Sequence, residues 1–272
     1  MENYSVLMSV YHREQPEFLR LSVESMFAQT APTNDFVLVC DGPLTEELDA
    51  VITNLQNTYG DTLHVVRMEI NRGLSYALND GLTFCKNDLV ARMDSDDVAP
   101  PDRCRLQLVQ FAETPELVIV GGAIDEFQGD PNNVISHKDM PLTYDDILRY
   151  AKSRNPFNHP TVMYRKSAVL AAGGYPHISL HEDYALWAKL LMAGAKGCNL
   201  PQTLCNMRVD NGLYNRRGGL KYFKIAVKFR YHLYCTGFYS LLNFLYVTAA
   251  LAVVCLVPQS VRRAAYRKIL RK

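Results

Sequence analysis

Leu89-Val90-Ala91-Arg92-Met93-Asp94-Ser95-Asp96-Asp97 decides how this chain is read. The apolar run through Met93 predicts a buried strand, and its end delivers clustered carboxylates. Hard cations such as Mg²⁺ or Mn²⁺ take oxygen ligands, often one or two carboxylates together with substrate phosphates. In an open α/β sheet, ligands bind outside the carboxyl ends of the strands. The tetrad therefore reads either as a metal-carrying diphosphate site or, taken alone, as a solvated acidic turn ahead of Pro100-Pro101.

Upstream, apolar runs alternate with helical patterns. Tyr4 to Val10, Phe36 to Val39 and Leu63 to Arg67 read as strands. Between them, Leu19, Val23, Met26 and Phe27, then Leu48, Val51, Ile52 and Leu55, recur at helical spacing, and Pro16 suits a helix start. Leu74, Leu78, Leu82 and Cys85 form a third helix face before Leu89. This βαβαβαβ rhythm predicts an α/β fold with a mostly parallel central sheet flanked by helices. It lacks a dinucleotide-type G-x-G-x-x-G, because Ser9-Val10-Tyr11-His12-Arg13 stands after the first strand. Downstream, Leu117 to Gly121 and Thr161 to Tyr164 read as strands, and Gly129 to Asn133 as a turn. A short helix is expected to end near Gly173-Gly174, and another to run from His181 to Met192.

The chain has 272 residues, 48% of them hydrophobic, so it can bury a substantial core. A formal net charge of +1 gives no global basis for nucleic-acid binding. The 7 cysteines include no C-x-x-C pair and read as small apolar residues in a reducing compartment. No basic region followed by a long apolar stretch opens the chain, so no signal peptide is expected.

The C-terminal part differs. Tyr231 to Val261 contains no Asp, Glu, Lys or Arg. Within it, Gly237 to Val257 is long and apolar enough for a bilayer span. Lys221, Lys224, Lys228 and Arg230 precede it, and Arg262, Arg263, Arg267, Lys268, Arg271 and Lys272 follow. Positive charge on both flanks suits a segment lying in the interface better than one crossing. A packed helical hairpin with a solvated basic face is the remaining reading.

Several motifs occur in order. They are Ser5 to Tyr11, Val39-Cys40-Asp41-Gly42-Pro43, Asn71 to Gly81, Ala91 to Asp97 and His181-Glu182-Asp183-Tyr184-Ala185-Leu186-Trp187. Asn155-Pro156-Phe157-Asn158-His159-Pro160 and Arg216 to Phe223 accompany them. Together they resemble the family 2 glycosyltransferases of the GT-A fold, and more narrowly the bacterial exopolysaccharide enzymes of the amylovoran-biosynthesis type. The resemblance implies a catalytic domain over 1–210, with a nucleotide-sugar half (1–100) and an acceptor half (101–210). A basic, apolar extension over 211–272 would associate with the membrane.

By that resemblance, Asp94 and Asp96 form an Asp-x-Asp pair binding Mn²⁺ or Mg²⁺, with Asp94 on either the metal or a ribose. Tyr11, Asp41, Arg72 and Asn79 would join them around the nucleotide sugar. The family usually has Asp-Asp-Gly-Ser where this chain has Cys40-Asp41-Gly42-Pro43, so one acid of that motif is missing. Asp183 would be the general base and Glu182 its neighbour, with the two roles exchangeable. Trp187 would stack on a sugar or fill core, His159 would be structural or touch a substrate, and Arg208, Arg216 and Arg217 would close over a diphosphate or stay solvated.

The implied activity is inverting transfer of a hexose, galactose or glucose, from a UDP-linked donor. The acceptor would be a polyprenyl-diphosphate-linked oligosaccharide at the cytoplasmic face of the bacterial inner membrane. The alternatives are a sugar-phosphate nucleotidyltransferase and a non-catalytic nucleotide-sugar-binding protein. The first usually carries a Gly-rich phosphate loop that Met8 to Glu14 lacks.

Overall fold

A single sheet organises the protein, and it changes character halfway across. The computed structural model describes residues 2–209 and 219–256. The first half runs β1 (Tyr4–Val10), α1 (Pro16–Phe27), β2 (Asp35–Cys40), α2 (Glu46–Tyr59), β3 (Leu63–Arg67), α3 (Leu74–Phe84) and β4 (Leu89–Asp94). Then follow α4 (Arg103–Glu113), β5 (Leu117–Phe127), β6 (Val134–Lys138), α5 (Tyr144–Tyr150), β7 (Met163–Arg165), α6 (Lys166–Ala171), α7 (Glu182–Met192) and β8 (Lys196–Arg208). Helices α8 (Gly219–Cys235) and α9 (Leu241–Leu256) complete the described chain.

The strand order is β3-β2-β1-β4-β7-β5-β6, with β8 also paired to β5. Strands β3, β2, β1 and β4 are mutually parallel. Their registers bring the ends of β1, β2 and β4 together, with Ser9 opposite both Val39 and Asp94. Strand β7 joins antiparallel to β4 and to β5. Main-chain carbonyls at this junction need partners. Buried Arg103 donates through Nη2 to the Arg92 carbonyl at 2.6 Å, and Gln107 Nε2 donates to those of Val120 (2.7 Å) and Thr161 (2.9 Å). Two polar side chains on α4 thus take up the hydrogen bonds that a uniform ladder would have made.

Each sheet face covers its own core. One contains Val6, Met8, Leu19, Val23, Leu38 and Ile52; the other contains Leu7, Val39, Leu78, Tyr164 and Trp187. The inner faces of α8 and α9, through Phe229, Leu233 and Val247, belong to the second core. Residues 237–240 form the connection between these helices, so the 237–257 stretch does not continue as one helix from Gly237. No helix among the described residues is long and apolar enough to cross a membrane. The cysteines form no disulfide; most are buried, whereas Cys198 is partly exposed and Cys235 exposed.

Candidate active site

The tetrad after β4 is not a solvated turn, because Asp97 is 2% and Ser95 7% exposed. Asp94 and Asp96 open into a cleft of about 570 Å³, which Tyr11, Glu14, Asp41 and Arg208 also line. The cleft lies outside the carboxyl ends of β1, β2 and β4, where a parallel sheet presents its ligand crevice.

The main chain fixes these acids. Asp41 accepts hydrogen bonds from the Arg72 N–H (2.8 Å) on one oxygen and the Gly73 N–H (2.9 Å) on the other. Gly73 has φ 95°, a conformation that favours glycine. Gly42 (φ 85°) lies so close to this turn that a Cβ there would come within 2.5 Å of the Asn71 nitrogen. Asp97 accepts from the Arg208 N–H at 2.8 Å. Arg208 Nε donates to the Asp96 carbonyl at 2.9 Å, and its guanidinium lies over the rings of Phe18 (3.8 Å) and Phe127 (4.6 Å).

Beneath the tetrad is Arg92, 1% exposed. Its Nη2 pairs with the Asp94 carboxylate, whereas Nε and Nη1 have no hydrogen-bond partner among the described residues. A buried cation with so few hydrogen bonds is costly unless charges surround it. The charge environment is acidic. Burial, then the charges of Asp94 and Glu14, push Asp96 up to about 7. Burial, then Asp96 and Asp94, hold Asp97 well above the carboxylate range.

Glu182 and Asp183 open α7, where a helix dipole favours anions. Asp183 accepts from Asn155 Nδ2 at 2.6 Å and from the Tyr184 N–H at 2.7 Å. Burial and then Asp183 raise Glu182 to about 7, with Arg92 pulling in the opposite direction. The Asp94 charge also reaches Glu182, so the acid pair and the tetrad share one electrostatic neighbourhood.

The structure gathers Tyr11, Asp41, Asp94 and Asp96 around the cleft and leaves Arg72, Asn79, Glu182 and Asp183 off its lining. Arg72 pairs with Asp80 and lies 5.0 Å over the Tyr76 ring, so only its main-chain N–H serves Asp41. Asn79 spends both ends of its amide on the Tyr175 backbone (2.7 and 2.9 Å), fixing the loop before α7. Trp187 is fully buried among Phe157, His159, Tyr164 and Tyr175. His159 meets the Tyr175 hydroxyl at 3.1 Å, and burial and then Arg92 keep it well below the usual histidine range. Arg216 and Arg217 lie outside the described residues. Arg92, Glu14, Phe18 and Asn155 carry weight that sequence spacing did not reveal. A strand-borne arginine and a loop asparagine have no periodicity that would betray them.

The acids suit a hard cation, since they are oxygen donors crowded enough to raise one carboxyl to about 7. Among the described residues no group of three or more metal-binding side chains is assembled. Two carboxylates sharing a cation with donor phosphates would be the arrangement that fits.

A parallel half-sheet with an acidic cleft at its carboxyl edge and an acid pair at the start of α7 give the arrangement of the GT-A fold. Residues 5–173 match the profile of Glycosyl transferase family 2, and the chain belongs to that family. It is 35% identical over 269 residues (99% of this chain, 97% of the relative) to the Escherichia coli UDP-Gal:alpha-D-GlcNAc-diphosphoundecaprenol beta-1,3-galactosyltransferase. It is 40% identical over 225 residues (83% of each) to the amylovoran biosynthesis glycosyltransferase AmsE of Erwinia amylovora. Among solved structures, the mannosyltransferase PcManGT of Pyrobaculum calidifontis, in complex with GDP-Man and Mn²⁺, superposes with a TM-score of 0.69. That match has 17% identity and covers 98% of this chain and 76% of that one, so it supports the shared GT-A fold. Family membership sets aside the nucleotidyltransferase reading.

Proposed function

We propose that the protein transfers a hexose from a nucleotide diphosphate sugar, UDP-galactose or UDP-glucose, to a lipid-diphosphate-linked glycan in bacterial polysaccharide assembly, with inversion. The observation that carries this is the meeting of Asp41, Asp94, Asp96 and Arg208 in one cleft at the ends of β1, β2 and β4. The donor reading draws on the E. coli relative, whose name specifies UDP-Gal, and the acceptor reading on its diphosphoundecaprenol substrate. Residues 1–210 would be the catalytic domain, its donor half ending near residue 100 and its acceptor half supplying α7. Residues 211–272 would be the membrane-associated part.

Asp41 and Tyr11 would hold the nucleoside end of the donor, and Arg208 would face the diphosphate. Asp94 and Asp96 would hold Mn²⁺ or Mg²⁺, which supplies Lewis-acid charge for the departing diphosphate. Asp183 takes the proton of the acceptor hydroxyl as that oxygen bonds to the anomeric carbon and the bond to the diphosphate oxygen breaks. Asn155 aims Asp183. Glu182, raised to about 7, would be a hydrogen-bond donor to the acceptor while protonated.

The test is nucleotide release from UDP-, GDP- and dTDP-sugars, with Mn²⁺, Mg²⁺ or chelator, with and without lipid-linked acceptor. Acceptor-stimulated, cation-dependent release from one donor, lost in Asp96→Asn and Asp183→Asn, is expected. Absence of binding to every nucleotide sugar would overturn the reading.

A further inference from the structure

Helix α9 exposes a face made only of apolar side chains. Leu241, Leu242, Leu245, Tyr246, Ala249 and Val253 follow the i, i+4, i+8, i+12 rows of one side, with Leu242 79% and Tyr246 72% exposed. The opposite side, with Val247 and Phe244, packs into the second core. A contiguous apolar surface of this kind in water marks a contact site. On α8, Lys221, Lys224 and Lys228 are exposed at helical spacing, and the same row continues to Tyr231. Tyr231 meets Phe244, on the inward side of α9, at a ring distance of 6.1 Å, so the lysine row and the exposed apolar face belong to one packed hairpin. Charge complementarity selects the occupant: exposed cations and an exposed apolar helix face on one hairpin suit an anionic lipid surface.

The hairpin is joined firmly to the helix that carries the acid pair. Phe229 of α8 stacks on His181 at 4.4 Å and meets the Tyr184 ring at 5.2 Å. The Tyr184 and Tyr239 hydroxyls are 2.8 Å apart. Lys152 donates to the Phe238 carbonyl at 2.7 Å and lies 3.8 Å over its ring. Glu182 and Asp183 therefore keep a fixed position relative to the α9 face.

We infer that the α8–α9 hairpin lies in the headgroup layer of an anionic bilayer, with the Leu241-to-Val253 face inward, and so sets the height of Asp183 above it. This rests on the lipid-linked acceptor of the proposed function and names the surface that meets the lipid. It needs no crossing, and the helix axis would lie along the interface.

The experiment uses full-length protein and vesicles of phosphatidylglycerol with phosphatidylethanolamine, against phosphatidylcholine alone. Wild type is expected to float with the anionic vesicles. Leu242→Ser/Leu245→Ser/Tyr246→Ser should stay in solution with an unchanged melting temperature. Each of Lys221→Gln, Lys224→Gln and Lys228→Gln should weaken partitioning about fivefold at low salt. In Leu242→Trp, the new indole should shift to the blue on vesicles and be quenched by brominated acyl chains. Wild type that does not float, or a triple serine variant that floats equally well, overturns the inference. A dimer in light scattering that the triple variant abolishes would assign the face to a second copy instead. Emission from the Leu242→Trp indole, taken as the difference from wild type with its buried Trp187, that is already blue without vesicles and stays so with them would assign the face to other residues of this chain. Turnover of a lipid-borne acceptor relative to a water-soluble analogue should fall in the triple variant. No turnover of either acceptor by wild type would sink the transferase reading while leaving the flotation result standing.

Discussion

The strand-end acids and the acid pair at the start of α7 are held by different means. At the ends of β2 and β4, main-chain hydrogen bonds hold Asp41, by the N–H groups of Arg72 and Gly73, and Asp97, by that of Arg208, while the Arg92 side chain holds Asp94. At the start of α7, Asp183 accepts from the Tyr184 N–H on one oxygen but on the other from a side chain, Asn155, reaching from a loop. Main-chain donors come with the fold and survive most substitutions, whereas a side-chain donor is lost with one residue. Asp41 and Asp97 are therefore fixed by the fold, whereas the Asn155 part of the hold on Asp183 can be tuned.

The contrast can be broken or sharpened at single positions. The largest effect is expected for Asp183→Asn, with kcat down about a thousandfold and donor affinity retained, because a general base acts in the chemical step. Equal losses in kcat and donor binding would show that α7 supports the donor rather than the acceptor. Asp96→Asn should lower kcat about a hundredfold and abolish the rise in melting temperature expected of wild type with Mn²⁺, as thermal shift can show. Asn155→Ala should cost about tenfold in kcat and displace the acid limb of its pH profile, the limb that a general base governs, with Asn155→Gln restoring part of the loss. An unshifted profile would make Asn155 a packing residue.

Two smaller effects concern stability. Glu182 titrates near 7 in the fold, above an unfolded value of about 4.3, so the folded state binds more protons between those values. Its contribution to stability is present at low pH and is lost as pH rises through about 7. The melting temperature should thus fall by about 3 °C from pH 5 to pH 8 on this account, and Glu182→Gln should flatten that slope. Gly42→Ala should destabilise by roughly 1–3 kcal/mol in urea titration, since it combines positive φ with a clash against the Asn71 backbone.

Legibility in the sequence followed burial. Strands β1, β2 and β4 are largely apolar, buried runs, β3 is only partly so, and the predicted ends of all four lie within a residue of those observed. Strand β6 was silent because Val134 and Ile135 are both exposed and polar residues follow. Strand β8 was hidden by Pro201 and by polar residues where its register against β5 shifts. Helix α5 buries only Ile147, too little to set a period. At the site, strand-end carboxylates announced themselves, because their place follows from the strand. Arg92 did not, since nothing local distinguishes an arginine buried under a carboxylate from one in water. Asn79 misled for a related reason: its helix faces the right region, but its amide is already engaged by Tyr175.

The double hold on Asp41 has a practical consequence for redesign. A variant at this position would lose the turn at Arg72-Gly73 together with any base contact, so its phenotype would confound folding with recognition. Attempts to change nucleotide choice belong instead at the rim. Tyr11 is 43% exposed there and Leu74 opens α3, and new side chains at either would alter the opening without unfastening its floor.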